Sequence, residues 1–171
     1  NIEKKYISEA TIVISPEKEN NIVDIEEVYS MDIQSNRVNN QLAILKSDEV
    51  LEYIVEDKKK QLEFKNLYSK IEISTFHRLT KKKVVVNKEY IKNLLSKNFQ
   101  VSNIPRSDVL KLKFISNDAR ISQLALKSII NSYQRYEVDS KIQITNYAKT
   151  KIALRLEDLV RQIDVAEKKL A

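Results

Sequence analysis

The chain has 171 residues, and 30 Lys or Arg against 24 Asp or Glu give a formal net charge of +6 at pH 7. It contains no Gly and no Cys, which excludes glycine-rich phosphate loops, disulfides, thiolate metal sites and cysteine nucleophiles. A single His leaves few candidates for a metal cluster, and a Ser-His-Asp triad would have to be built around that one residue. The composition therefore predicts a folded, well-solvated protein and leaves few of the residues on which enzymes and metal sites commonly depend.

The chain begins with a predicted strand, a polar segment and a helix. Tyr6–Ser15 is rich in β-branched residues toward its end and stops at a proline, which predicts a strand. The polar segment 16–24 is expected to be a loop. Val38, Leu42 and Leu45 then recur at spacings of four and three, which indicates one buried helix face.

A second helix is expected to follow directly. Ser47 is a suitable N-cap, and the acidic residues Asp48 and Glu49 suit the positive end of a helix dipole. The apolar residues behind them are Val50, Leu51, Ile54 and Val55. We therefore predict two consecutive helices with a break near Lys46-Ser47.

The middle of the chain gives fewer signals. Between Glu56 and Lys83 dense charges obscure the apolar period, so no definite element is predicted there. Asn87 can cap a short helix that stops before Phe99, and a turn is expected at Ile104-Pro105. The apolar residues of that short helix are Tyr90, Ile91, Leu94 and Leu95.

The clearest signals are a strand and the helix that follows it. Val109–Ser116 alternates apolar residues with lysines, which predicts a strand with one buried face. Ser116-Asn117-Asp118 then supplies capping side chains for a helix in which Tyr133 is expected in the core and Tyr136 at its rim. Its positions with helical period are Ile121, Leu124, Ala125, Ile129, Ser132, Tyr133 and Tyr136.

The end of the chain, beyond a polar junction at Asp139-Ser140, carries a heptad pattern. Such a pattern is typical of helices that pack on helices, so it is our candidate packing or oligomer seam. The seam consists of Ile152, Leu156, Leu159, Ile163, Ala166 and Leu170. No residue that stops a helix follows it, and we expect the native helix to continue past Ala171.

Possible catalytic residues have simpler structural interpretations. His77 has no carboxylate nearby in sequence to orient it, so we interpret it as an ordinary histidine. The pairs Glu26-Glu27 and Asp48-Glu49 are sequence neighbours that do not share a helix face, as is common on solvated helix surfaces. No catalytic, cofactor-binding or metal-binding residue is predicted.

Two lysine runs are the best indication of a polyanionic partner. Lys58-Lys59-Lys60 follows Glu56-Asp57, which offsets part of its charge. Lys81-Lys82-Lys83 lacks the interleaved aromatic residues of single-strand binding surfaces. Both runs are therefore interpreted as solvated faces, and nucleic acid is not expected as a partner.

The order of these segments resembles the Wzz-type chain-length determinants, also called polysaccharide co-polymerases. Five segments in order carry the resemblance: Ala10–Pro16, Ile44–Leu51, Ser107–Ser116, the residues from Asn117 to Tyr136, and Leu156–Leu170. The sequence ends at Ala171, before the positions at which the family has a return helix, a last strand and a proline-rich stretch at its second membrane helix.

The resemblance implies a non-enzymatic scaffold in the bacterial inner membrane, with this segment extracytoplasmic (periplasmic) between two flanking transmembrane helices. Members of the family form homo-oligomers and act with a polymerase on nascent O-antigen, capsular polysaccharide or exopolysaccharide. The expected fold is α+β, a small sheet base flanked by helices with a long C-terminal helix running out of it. Residues 1–139 would be the membrane-proximal base, and residues 140–171 the start of the extended helix.

An alternative from another class fits the same patterns. The chain could be a cytosolic coiled-coil interaction module with a small α/β head, binding an acidic partner through its lysines. Apolar spans of about 20 residues on both sides of this segment would favour the membrane scaffold.

Overall fold

The computed structural model describes residues 4–15, 27–74 and 85–170. These residues form an α+β structure with three antiparallel strands, four helices and a long C-terminal helix, which confirms the predicted fold class. The elements are β1 (Tyr6–Val13), α1 (Glu27–Leu45), α2 (Asp48–Glu56), α3 (Lys58–Ser74), α4 (Lys88–Asn98), β2 (Phe99–Asn103), β3 (Val109–Ser116) and α5 (Ala119–Leu170). The segment predicted as a loop, 16–24, lies outside the described residues.

The sheet has the order β1-β3-β2, so the strand with the clearest alternation lies at its centre. Leu110, Leu112 and Phe114 are fully buried on one face of β3, whereas Lys111 and Lys113 lie on the opposite face. The register places Leu112 between Ala10 of β1 and Val101 of β2. The predicted strand and the face it buries are both confirmed.

The strand β2 was not predicted from the sequence. It follows α4 with no intervening turn, because Phe99 is both the C-cap of the helix and the first residue of the strand. Only Val101 is buried among its five residues, so the alternation is too short to recognise. Pairing with β3 is what holds this segment extended.

Side-chain caps begin the helices where the sequence places them. Ser47 Oγ accepts a hydrogen bond from the backbone N–H of Val50 at 3.4 Å, and Asn87 Oδ1 accepts one from Tyr90 at 2.7 Å. Asp118 Oδ1 accepts from the backbone N–H of Arg120 at 2.8 Å at the start of α5. Each cap satisfies a donor that a first helical turn leaves free.

The core lies between the helices and one face of the sheet. Tyr133 is buried as predicted, and its hydroxyl donates to Gln41 Oε1 of α1 at 2.7 Å. Arg37 of α1 pairs with Asp108 at 3.1 Å, in the loop before β3. The largest fully buried side chains are Phe64, Phe114, Leu45, Ile54, Ile91, Leu95, Leu110, Leu112 and Ile129.

The β2–β3 connection contains a left-handed residue that is not glycine. Arg106 has φ of 60°, and the backbone N–H of Ser107 donates to the carbonyl of Ile104 at 3.2 Å. Pro105 and Arg106 therefore occupy the central positions of a turn whose second position usually carries glycine. This chain has no glycine, and arginine takes that conformation instead.

The chain divides into two compact units, Asn1–Tyr133 and Gln134–Ala171. The second unit consists of the later part of α5, which continues through the polar residues Asp139-Ser140 without interruption. Among the described helices, none combines the length and apolar character needed to cross a membrane.

Candidate interaction surface

The structure describes only some of the residues considered for catalysis. Glu27 begins α1, whereas Glu26 and His77 lie outside the described residues. Asp48 forms an ion pair with Lys92 of α4 at 3.1 Å, and both belong to the packing of α2 on α4. Hydrogen bonds from its own backbone N–H and from Ser47 lower the pKa of Glu49, as expected at a helix N-terminus.

The first lysine run forms the first turn of α3. The carboxylate of Asp57 accepts hydrogen bonds from the backbone N–H groups of Lys59 at 2.9 Å and Lys60 at 3.2 Å. The ammonium of Lys60 pairs with Glu63 at 2.9 Å. Its nearby acids therefore balance much of this run, and the second run, 81–83, lies outside the described residues.

Two further groups with displaced pKa values also have structural explanations. Hydrogen bonds from the ammonium groups of Lys113 and Lys111 lower the pKa of Glu9 on the outer face of the sheet. Burial, followed by a hydrogen bond with Tyr90, raises the pKa of Tyr68. The two tyrosine rings meet edge to face with centroids 5.3 Å apart. Among the described residues, no group of three or more His, Asp or Glu side chains could hold a metal ion.

The seam lies on the second unit, and its described side chains face solvent. Ile152, Leu156, Leu159 and Ile163 have exposed fractions between 45 and 61%, and Ala166 is exposed as well. The side chain of Leu170 is outside the described residues. An exposed apolar row of this length is typical of a surface that another helix covers.

The same heptad pattern continues toward the N-terminus of the second unit. Val138 and Ile142 lie in phase with Ile152, and both are more than half exposed. Between them and Ile152 the pattern passes through Thr145 and Lys149, which are polar. Because of these two polar residues, Val138 and Ile142 were not recognised in the sequence as part of the same heptad pattern.

A second apolar row lies on the opposite side of the same helix. It consists of Ile144, Tyr147, Leu154 and Val165, all at least half exposed. The ammonium of Lys151 lies 5.5 Å from the centre of the Tyr147 ring and covers part of this row. The helix therefore offers two apolar sides, of which the sequence reading identified one.

Polar contacts within the helix support the exposed segment only weakly. Lys168 pairs with Asp164 at 2.8 Å, and Gln162 donates to Asp158 at 2.9 Å, both at i,i+4 spacing. Exposed pairs of this kind add a few tenths of a kcal/mol each, roughly 0.2–0.5. Helices in proteins are stabilised mainly by packing of an apolar face, so we expect this segment to have a packing partner.

No protein-family model matches the chain, and no curated protein and no solved structure matches it significantly.

Proposed function

We propose that this protein is a non-enzymatic scaffold that assembles as a homo-oligomer and regulates the chain length of a bacterial surface polysaccharide. In this proposal the whole 171-residue segment is extracytoplasmic and is held at the inner membrane by flanking helices. It acts together with a polymerase and its nascent polysaccharide. The resemblance of the ordered segments to the Wzz-type family is the source of this assignment.

The single observation that carries the proposal is the exposed seam on α5. Four large apolar side chains in heptad spacing, roughly half exposed or more, are costly in water and are stabilised when a second helix buries them. An assembly built through this seam needs no catalytic residue. A composition without Gly or Cys and with one His is compatible with such an assembly.

The proposal is tested by the oligomeric state of the complete protein extracted from membranes in mild detergent. We expect a defined homo-oligomer that Leu156→Glu combined with Leu159→Glu dissociates. A matched control adds the same charge away from the seam, with Gln143→Glu combined with Thr150→Glu, and should assemble normally. A complete protein that stays monomeric in detergent and in the membrane would contradict the scaffold mechanism.

A further inference from the structure

The strand β1 forms one edge of the sheet, and its outward backbone groups can be identified from the register. The backbone N–H of Ile14 donates to the carbonyl of Asp108 at 2.7 Å, and the register pairs even-numbered residues of the two strands. Even-numbered residues therefore bond to β3, whereas odd-numbered residues direct N–H and C=O groups to the opposite edge. These residues are Ile7, Glu9, Thr11 and Val13. Among the described residues, no backbone group of another element pairs with that edge.

This edge has few of the features that usually prevent strands from pairing between molecules, and Glu9 is its one charged residue. Tyr6–Val13 contains no proline and no lysine, and all eight of its residues continue one regular register with β3. Its two apolar residues on the outer face, Ile7 and Val13, have exposed fractions of 56 and 67%. The edge is therefore long, regular and partly apolar, which favours the addition of another strand.

A groove runs beside the same edge of the sheet. It has a volume of about 490 Å³ and lies between Ser8 and Glu9 of β1 and the first part of α5. The apolar side chains on its helix wall are Leu126 and Ile130, and Gln123 and Lys127 line its polar part. An added strand would place alternate side chains in this groove.

We propose that β1 pairs in antiparallel orientation with β1 of a second copy of this chain, about a two-fold axis at Ala10. In this register Ile7 lies opposite Val13 of the second copy, so the exposed apolar residues cover one another. Glu9 lies opposite Thr11, and Ile12 of the second copy lies opposite Ser8, where the groove can receive it. The result is one continuous six-stranded sheet.

Neighbouring registers are less favourable. An axis at Glu9 places two carboxylates directly opposite each other, and like charges in that position are destabilising. An axis at Thr11 sets Ile7 opposite Ser15 and leaves it without an apolar partner. This interface is separate from the α5 seam, and the inference does not depend on the proposed function.

Cysteine trapping tests the register directly, because the chain has no cysteine of its own. Ala10 would meet its own copy as a non-hydrogen-bonded pair with Cα atoms about 4.5 Å apart, within the range of a disulfide. The matched control is Thr11→Cys, whose two copies would be more than about 7 Å apart. Under mild oxidation Ala10→Cys should give at least tenfold more disulfide-linked dimer than Thr11→Cys.

A charge pair gives a second test that does not depend on a new cysteine being accepted. Thr11→Glu would face Glu9 of the second copy twice per dimer, and Thr11→Lys would form two opposite-charge pairs instead. We expect Thr11→Glu to raise the dimer dissociation constant about tenfold and Thr11→Lys to leave it unchanged or lower it. Sedimentation should be measured with Leu156→Glu and Leu159→Glu present, so that the seam does not contribute.

The two tests have outcomes that would overturn the inference. It is wrong if both cysteine variants cross-link to the same extent, or if Ala10→Cys folds and stays monomeric. It is also wrong if Thr11→Glu and Thr11→Lys have equal effects on association, as expected where another segment covers the edge. Circular dichroism should confirm that each variant is folded before its association is compared.

Discussion

Leu112 and Lys113 are neighbours on the central strand β3 that face opposite sides of the sheet, so the same substitution should have very different effects at the two positions. Leu112 is fully buried, and the side chain of Lys113 is 37% exposed beside Glu9. Burying a leucine contributes about 1.5–3 kcal/mol, and placing an unpartnered polar group in its site costs roughly 2–7 kcal/mol. Leu112→Asp should therefore lose about 4 kcal/mol or more of the roughly 5–15 kcal/mol that stabilises a typical domain.

Urea titration followed by circular dichroism measures both variants. Burial should raise the pKa of the carboxyl introduced by Leu112→Asp above its unfolded value of about 3.9. The folded state then binds more protons than the unfolded state, so the stability deficit should be smallest at acid pH and grow as the pH rises toward 7. Lys113→Asp replaces an exposed ion pair with a carboxylate opposite Glu9, and an exposed cross-strand pair of this kind changes the stability by only about 0.2–1 kcal/mol. Equal losses for the two variants would show that the facing of β3 is wrong.

Three further predictions concern single side chains. Ser122 Oγ donates a hydrogen bond to the carbonyl of Phe114 at 2.7 Å, whereas the buried Ser128 Oγ has no partner in the described structure. In urea titration Ser122→Ala should therefore lower the free energy of unfolding by about 1–3 kcal/mol, and Ser128→Ala should not lower it. Arg106→Gly should raise the unfolding free energy by up to about 1 kcal/mol because a left-handed non-glycine residue is unfavourable, and Arg106→Val should lower it. The pKa of Glu9 is lowered in the folded state, so its ion pairs stabilise the fold above the unfolded pKa and lose this effect as the pH falls through the folded pKa. The urea midpoints of the wild type and of Glu9→Gln should therefore differ less in acid. The difference should also be smaller at high salt, which screens exposed charges.

Local sequence patterns were sufficient to predict a strand or a helix cap wherever one feature dominated a segment. Val109–Ser116 was predicted with its observed bounds because strict alternation requires one buried and one solvated face. Ser47 and Asn87 were identified as caps because each is a short polar residue directly before a helical apolar period, where its oxygen can accept a hydrogen bond from the first turn. In both cases the determining interactions lie within a few residues of one another.

Features that depend on distant segments could not be predicted in the same way. β2 is extended because β3 pairs with it, and its own five residues carry almost no alternation. Among the side chains of α3 that the structure describes, Phe64 alone is fully buried, and dense charges surround it, so the packing of this helix against α2 is not visible as a period. The seam was recognised because its heptad spacing is a local pattern. That spacing predicts an apolar helix face, but it does not identify the segment that would cover this face.

The central claim, that assembly through α5 sets polysaccharide length, is tested most directly by the length distribution of surface polysaccharide on gels. Cells that lack the native gene should be compared after complementation with the complete protein or with its Leu156→Glu and Leu159→Glu variant. We predict a narrow distribution with the wild-type protein and a broad, shortened one with the variant, while polymer is still made. A variant that is folded, present at wild-type level and dissociated, yet restores the narrow distribution, would contradict the account.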